Sequence, residues 1–321
     1  MNTQHLKDTD YDMEILLSVI ICTHNPRFSY LDRVLQALQY QTLSTDLWEI
    51  LLVDNASNKV LSSELTLNWH PHARHIREEQ LGLTPARLRG IREAQAEVLV
   101  FVDDDNILDA NYLEVTWHIS KNFPFLGAWG GQIRPEFEEL PPAWTKPYLG
   151  NLAIREFERD SWSNLPNQHD TTPSGAGLCV RKVVAQKYSE LVSKDHRRTG
   201  LDRKGKLLTS CGDSDLAFTA CDISLGTGLF TSLKMTHLIP SIRLEESYLL
   251  RLVEGLAYSQ NILGYLRGTL LPQAFWRSSK IYLLFLRLRY GSRTCRFYKA
   301  GQRGRMLAIK EIANWENDVS L

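Results

Sequence analysis

Three adjacent carboxylates, Asp103-Asp104-Asp105, follow directly on the apolar run Val98–Val102 (VLVFV). Carboxylates set side by side repel one another, and without a counter-charge such a cluster costs stability. At the carboxyl end of a strand, facing the crevice of an α/β sheet, hard oxygens of this kind suit a divalent cation, Mg2+ or Mn2+ rather than zinc. Such a cation bridges carboxylate and phosphate oxygens. The plain alternative is a solvated acidic turn. Two further apolar runs also end in polar tips: Leu16–Cys22 (LLSVIIC) before Thr23-His24-Asn25-Pro26, and Ile50–Val53 (ILLV) before Asp54. Asp54 is placed to accept hydrogen bonds from a base or ribose, or simply to form the turn D-N-A-S. Three polar strand ends at one crevice weigh more than any one of them.

Other ways of holding a nucleotide are excluded. No GxGxxG follows the first apolar run and no GxxxxGK[ST] occurs, so the dinucleotide fingerprint and the P-loop are both missing. GxSxG is missing too.

The elements that must position these tips can be read from the pattern. Apolar runs of this length suit parallel strands buried on both faces. Between them lie helical stretches: Tyr30–Gln41, with Leu31, Val34, Leu35 and Leu38 on one stripe, and Pro85–Ala96, with Pro85 in its first turn. A further helix is expected over Tyr112–Lys121, with Asp109 as its N-cap. Strands alternating with helices predict βαβ units in an open, doubly wound α/β sheet. Pro135–Pro173, rich in Pro, Trp, Asn and Glu, reads as an irregular excursion of the kind that carries substrate loops. Regular patterning returns at Gly177–Val184 and Leu216–Cys221, and from Glu245 the pattern is helical.

Composition sets the outer limits. The chain has 321 residues, 43% of them hydrophobic, with 37 Lys+Arg balancing 37 Asp+Glu, which excludes disorder as the main state. Five cysteines without CxxC spacing read as reduced thiols in a cytosolic protein. The polar, acidic start lacks a signal-peptide pattern, and no apolar run approaches a membrane span, so a cytoplasmic location is expected.

In order along the chain, LLSVIICTHNP, WEILLVDNAS, LGLTPARLRGI, VLVFVDDDN, GAGLCVRK and CGDSDLAF resemble the nucleotide-sugar-dependent glycosyltransferases of family 2, from Leu16 to Pro240. The resemblance implies an α/β fold of the GT-A type: a Rossmann-like open mixed sheet flanked by helices, with a helical, basic C-terminal segment. It implies a polar tail over 1–13, a glycosyltransferase domain over 14–240 and the C-terminal segment over 241–321. It implies an inverting transfer of a sugar from a nucleoside diphosphate donor, UDP-linked, to a hydroxyl of a glycan or lipid-linked glycan, as in cell-surface polysaccharide synthesis. Thr23, His24 and Asn25 would line the nucleoside pocket, Asp54 would contact the base, and Arg87 would lie near the diphosphate. Asp103 and Asp105 match the DxD motif, beside Asp104, with Asp105 the more direct ligand of Mn2+ or Mg2+. His237 sits where relatives place a histidine near the diphosphate or metal, and is otherwise a structural histidine. Gly175, Ala176, Gly177 and Leu178 match the small-residue segment under the donor and acceptor sugars. Asp213 aligns with the general base, with Asp215 as its fallback and a helix N-cap as the alternative role. The family usually has Glu before that Asp, whereas this chain has Gly212.

The chemistry asks for the same parts. A cation with Arg or His neutralises a leaving diphosphate, and a carboxylate deprotonates the acceptor hydroxyl. One base on the face opposite the leaving group gives a single displacement with inversion. Two rival readings are a nucleotidyltransferase, for which THNPRFS lacks the glycine-rich loop, and a sugar-nucleotide-binding protein without transferase activity.

The last segment stands apart. Gly268–Lys310 holds ten Lys/Arg and no Asp or Glu, interleaved with Phe275, Trp276, Tyr282, Phe285 and several leucines. Cations beside apolar residues suit an anionic membrane surface. The alternative is a helical cap whose leucines pack inward. No recognition motif accompanies the charge, so nucleic acid is not expected as a partner.

Overall fold

The computed structural model describes residues 14–166, 168–203, 208–269 and 280–319. The expected tail over 1–13, together with Phe275, Trp276 and Arg277, lies outside the described residues. The first half alternates as the pattern requires: β1 (Leu17–Thr23), α1 (Phe28–Gln39), β2 (Trp48–Asn55), the single turn α2 (Leu61–Glu64), β3 (Ala73–Glu78), α3 (Leu83–Glu93) and β4 (Val98–Asp103). These four strands are parallel, in the order β3-β2-β1-β4. Side chains of β1 alternate between two cores. Val19 and Ile21 join the layer containing Leu31, Val34, Leu35 and Leu38 of α1, while Ile20 joins Ala86 and Ile91 of α3 on the other face. All of β2 is buried because both of its faces are covered.

Beyond β4 the sheet changes direction. The chain continues through β5 (Asn106–Leu108), α4 (Tyr112–Asn122), β6 (Leu126–Phe137), β7 (Ser161–Ser163), β8 (Leu178–Arg181), α5 (Lys182–Lys194), α6 (Gly212–Asp222) and β9 (Gly226–Ile239). β8 runs antiparallel to β4, β6 antiparallel to β8, β9 parallel to β6, and β5 and β7 antiparallel to β9. The result is a mixed nine-stranded sheet flanked by helices. Two expectations are corrected. The N-cap position of α4 is held by Asn111, without a side-chain cap, and the Asp109 carboxylate instead pairs with Arg134. The excursion after Pro135 is partly regular: Pro135 lies inside β6, and Ala143–Leu152 winds into 3-10 turns.

The chain ends in α7 (Glu246–Leu266) and α8 (Lys280–Val319), the latter broken at Gly291, whose φ of 87° no helix can hold. The two helices pack closely. A Cβ at Gly304 would lie 2.0 Å from the Glu254 carbonyl oxygen, so only glycine fits there. Phe297 of α8 stacks on Tyr148 at 3.6 Å between ring centroids, and with Leu249 and Leu252 of α7 it forms a third apolar cluster. Among the described residues, no helix is long and apolar enough to cross a membrane.

Candidate active site

Strand register brings the polar tips together. Thr23 lies beside Asp54, and Cys22 beside Asp103, so β1, β2 and β4 end at one level. The short antiparallel pairing of β5 with β9 sets Asn106 opposite His237, which delivers that histidine to the aspartate triplet from more than a hundred residues away. A cavity of about 400 Å3 opens there. Of the residues singled out in the sequence, Thr23, His24, Arg87, Asp103, Asp104, Asp105, Gly175, Ala176, Asp213 and His237 line it.

Four do not. Asn25, at a left-handed φ of 48°, ties the β1 turn to the β2 turn: its N–H donates to Ser57 Oγ (2.9 Å) and its Oδ1 accepts from Asn58 N (2.9 Å). The Asp54 carboxylate accepts from Ser57 N, Leu61 N and Arg77 Nη1 at 2.8–3.1 Å. Burial opposes ionisation of Asp54, but these donors outweigh it and hold its pKa below the usual value. Gly177 lies under Tyr112, whose hydroxyl donates to its carbonyl at 2.6 Å. The fourth is a correction. Asp215 is fully buried, with Arg198 Nη1 at 2.6 Å and Arg267 Nε at 2.7 Å on its oxygens. Residues two apart on a helix point to different faces; Asp213 therefore reaches the cavity and Asp215 is turned away, so the fallback base has no access to it.

Asp213 lies in the first turn of α6 and is fixed by two backbone donors, Gly175 N and Ser214 N, each at 2.7 Å. A carboxylate has room for further partners, so Asp213 can still accept a proton from the cavity. The triplet is unevenly served. Thr23 donates its hydroxyl to Asp104. Burial and the neighbouring charges of Asp105 and Asp103 push the Asp104 carboxyl up to about 6. Burial also raises Asp103, against the pull of Arg87. For Asp105 burial acts in the same direction, but His237 and Arg243 override it and bring its pKa down to about 2.

Arg243 was not legible as a site residue, and neither were Arg203 and Asp202. Arg243 Nη2 donates to Asp105 Oδ2 at 2.8 Å, and its Nη1 lies 2.8 Å from His237 Nε2. His237 Nδ1 lies 3.0 Å from the Leu152 carbonyl oxygen. Asp105 Oδ2 and His237 Nε2 lie 3.4 Å apart, close enough to share one ion. Among the described residues, no group of three His, Cys, Asp or Glu is arranged to cage a metal. Asp202 is described below; the sequence signal for it was indirect, the glycine at 212 where a side chain was expected.

An open mixed sheet with acidic strand ends, a histidine and a first-turn aspartate around one cavity defines an α/β transferase-type site. Residues 18–183 match glycosyl transferase family 2, and the chain belongs to that family. It is similar to polypeptide N-acetylgalactosaminyltransferase 6 of Homo sapiens, 40% identical over 90 residues that make up 27% of this chain and 14% of that protein. It is also similar to the cholesterol galactosyltransferase of Borreliella burgdorferi, 30% identical over 107 residues, 33% of this chain and 29% of that protein. The chain thus spans less than a third of these relatives' lengths. Among solved structures, S. aureus TarS 1-349 in complex with UDP-GlcNAc shows 14% identity and a TM-score of 0.49 over 89% of this chain and 79% of that one.

The two aspartates of α6 should behave differently when neutralised. Asp215→Asn leaves Arg198 and Arg267 without their shared partner and should cost about 3–5 kcal/mol of stability, read by urea unfolding. A D215N protein as stable as the wild type contradicts the placement.

Proposed function

We propose that the protein is an inverting glycosyltransferase that moves a sugar from a UDP-linked donor to a hydroxyl of a glycan or lipid-linked glycan. The observation that carries the reading is the convergence of Asp213, the aspartate triplet with His237, and Arg87 and Arg243 on one cavity. The relatives' names, N-acetylgalactosaminyl- and galactosyltransferase, support a hexose or N-acetylhexosamine as the sugar. The catalytic domain spans 14–240, and the helical segment over 241–321 adds Tyr248, Leu252 and Leu256 to the cavity wall.

Asp213 takes the proton of the acceptor hydroxyl as its oxygen attacks the anomeric carbon. The bond from that carbon to the diphosphate breaks on the opposite side, and the electron pair leaves with the phosphate oxygen. One displacement inverts the anomeric centre. Arg87 is suited to receive the leaving charge. Burial opposes its own charge, but Asp202, Asp103 and Asp213 outweigh this and hold its pKa above the usual arginine value. Asp105 and His237, with Asp103 beside them, would hold Mn2+ or Mg2+, which when bound neutralises the diphosphate. Gly175 packs directly on Asp213; a Cβ at Gly175 would lie 3.0 Å from Asp213 Oδ2.

A panel of nucleotide sugars with Mn2+ should reveal one donor that is turned over and that EDTA silences. Asp213→Asn should lower the transfer rate about 10^2–10^4-fold, with donor affinity within a few-fold. The product should carry the inverted anomer by NMR coupling constant. Retained configuration, or an active D213N enzyme, refutes the mechanism.

A second element of the proposal is docking on an anionic membrane. Its basis is narrower than the charge count suggests, because Arg293 and Arg296 pair with Glu246 and Arg303 with Glu254 of α7. Leu286, Phe297, Ala300 and Ala308 are buried, so much of α8 is a cap. The stretch before Gly291 differs: Leu284, Phe285, Leu288 and Tyr290 are exposed together with Arg287 and Arg289. Apolar side chains beside cations suit the lipid interface. In liposome flotation, the full chain should bind anionic vesicles in low salt, and Leu288→Glu with Arg289→Glu should release it. Equal recovery with neutral vesicles, or none with anionic ones, rejects docking.

A further inference from the structure

Ten residues before α6, Asp202 closes a 3-10 segment (His196–Leu201) and is 3% exposed. Its Oδ2 accepts from Thr84 Oγ1 at 2.9 Å and lies 3.2 Å from Arg87 Nη1. Its Oδ1 accepts from Gly212 N at 3.2 Å, and its backbone carbonyl accepts from Thr209 Oγ1 at 2.6 Å. One carboxylate thus joins α3, which carries Arg87, to the turn that starts α6 and carries Asp213.

The same carboxylate accounts for the glycine. A Cβ at position 212 would lie 2.2 Å from Asp202 Oδ2 and 2.4 Å from its Cγ, a separation that no real side chain tolerates. Residue 212 and residue 202 compete for one volume, and here residue 202 fills it. On the far side of the guanidinium, a Cβ at Gly175 would lie 2.8 Å from Arg87 Nη2, and the Gly175 N–H holds Asp213. Asp202, Arg87 and the Gly175–Asp213 contact therefore form one packed series.

We propose that Asp202 is a positioning residue that aims Arg87 at the diphosphate while fixing the turn that presents Asp213. The role rests on the transferase reading above. The carboxylate oxygens of Asp202 are turned to Thr84, Arg87 and the Gly212 N–H. Its effect passes through Arg87 and the Gly212 N–H, and misplacing such a group by about 1 Å costs on the order of 10^2-fold in rate. The carboxylate pays for its burial: desolvation pushes its pKa up, with Arg87 opposing that rise.

The test is a trade of carboxylates between the two positions, with turnover and urea unfolding measured on each variant. Asp202→Asn keeps the shape and should retain the fold, yet lower kcat about ten- to a hundredfold with little change in donor KM. Gly212→Glu alone should be destabilised, because two side chains then claim one volume. Combined with Asp202→Gly it should be more stable than Gly212→Glu and should regain at least part of the kcat lost by Asp202→Gly. A D202N enzyme as active as wild type overturns the role, and so does a loss of kcat that merely follows the folded fraction. Additive unfolding effects at 202 and 212 overturn the shared volume. A wild type that turns over no donor sinks the transferase reading and the role with it, and an unfolding cycle that still couples 202 to 212 identifies that reading as the part that failed.

Discussion

Among the described residues, five carboxylates, Asp103, Asp104, Asp105, Asp202 and Asp213, line one cavity with three guanidinium groups, Arg87, Arg203 and Arg243. Withdrawing charge from water is expensive, and like charges cannot all ionise at close range. The protein answers unevenly. Asp105 is held well ionised by His237 and Arg243 despite its burial, whereas burial drives Asp103 and Asp104 toward their neutral forms. A site left with surplus acidity is costly as a structural element and useful as a receptor for positive charge. A cation that arrives with a diphosphate brings that charge together with the anion that consumes it.

The fold creates this surplus by register. Parallel β1, β2 and β4 stop at one level, and the antiparallel join of β4 to β8 leaves β6 and β9 to carry His237 back across the face. Each polar tip is then held by a partner distant in sequence: Asp213 by Gly175, Asp202 by Thr84, Asp105 by Arg243. Helix α7 completes the wall with Tyr248, Leu252 and Leu256, and α8 packs on α7 through the close approach at Gly304.

How much of this could be read from the sequence depends on how local each signal is. The buried runs at Leu17–Thr23, Trp48–Asn55 and Val98–Asp103 were legible because both faces of each strand are apolar. Their polar tips were legible because they break that pattern abruptly. β6 and β9 gave no such signal; LGAWGGQIRPEF mixes glycine, proline and charge, and its strand character comes from pairing. The resemblance ranked Asp213 above Asp215 in GDSD, and helix geometry adds the reason, an accessible Asp213 beside an Asp215 enclosed by Arg198 and Arg267. Asp54 was assigned by its place at a strand end, yet its oxygens are occupied by two backbone N–H groups and Arg77. Asp202 and Arg243 lie in unremarkable polar stretches, and their importance arises wholly from what the fold sets against them.

The central claim is that the acidic cavity is a site for a diphosphate and a divalent cation together. The most direct measurement is calorimetric titration of the full chain with UDP and with UMP, each with Mn2+ and with EDTA. UDP should bind measurably more tightly with Mn2+ than in EDTA, while UMP, lacking the second phosphate, should show little dependence on the metal. Binding of UDP that is equal with Mn2+ and EDTA, or no binding of UDP at all, would contradict the account.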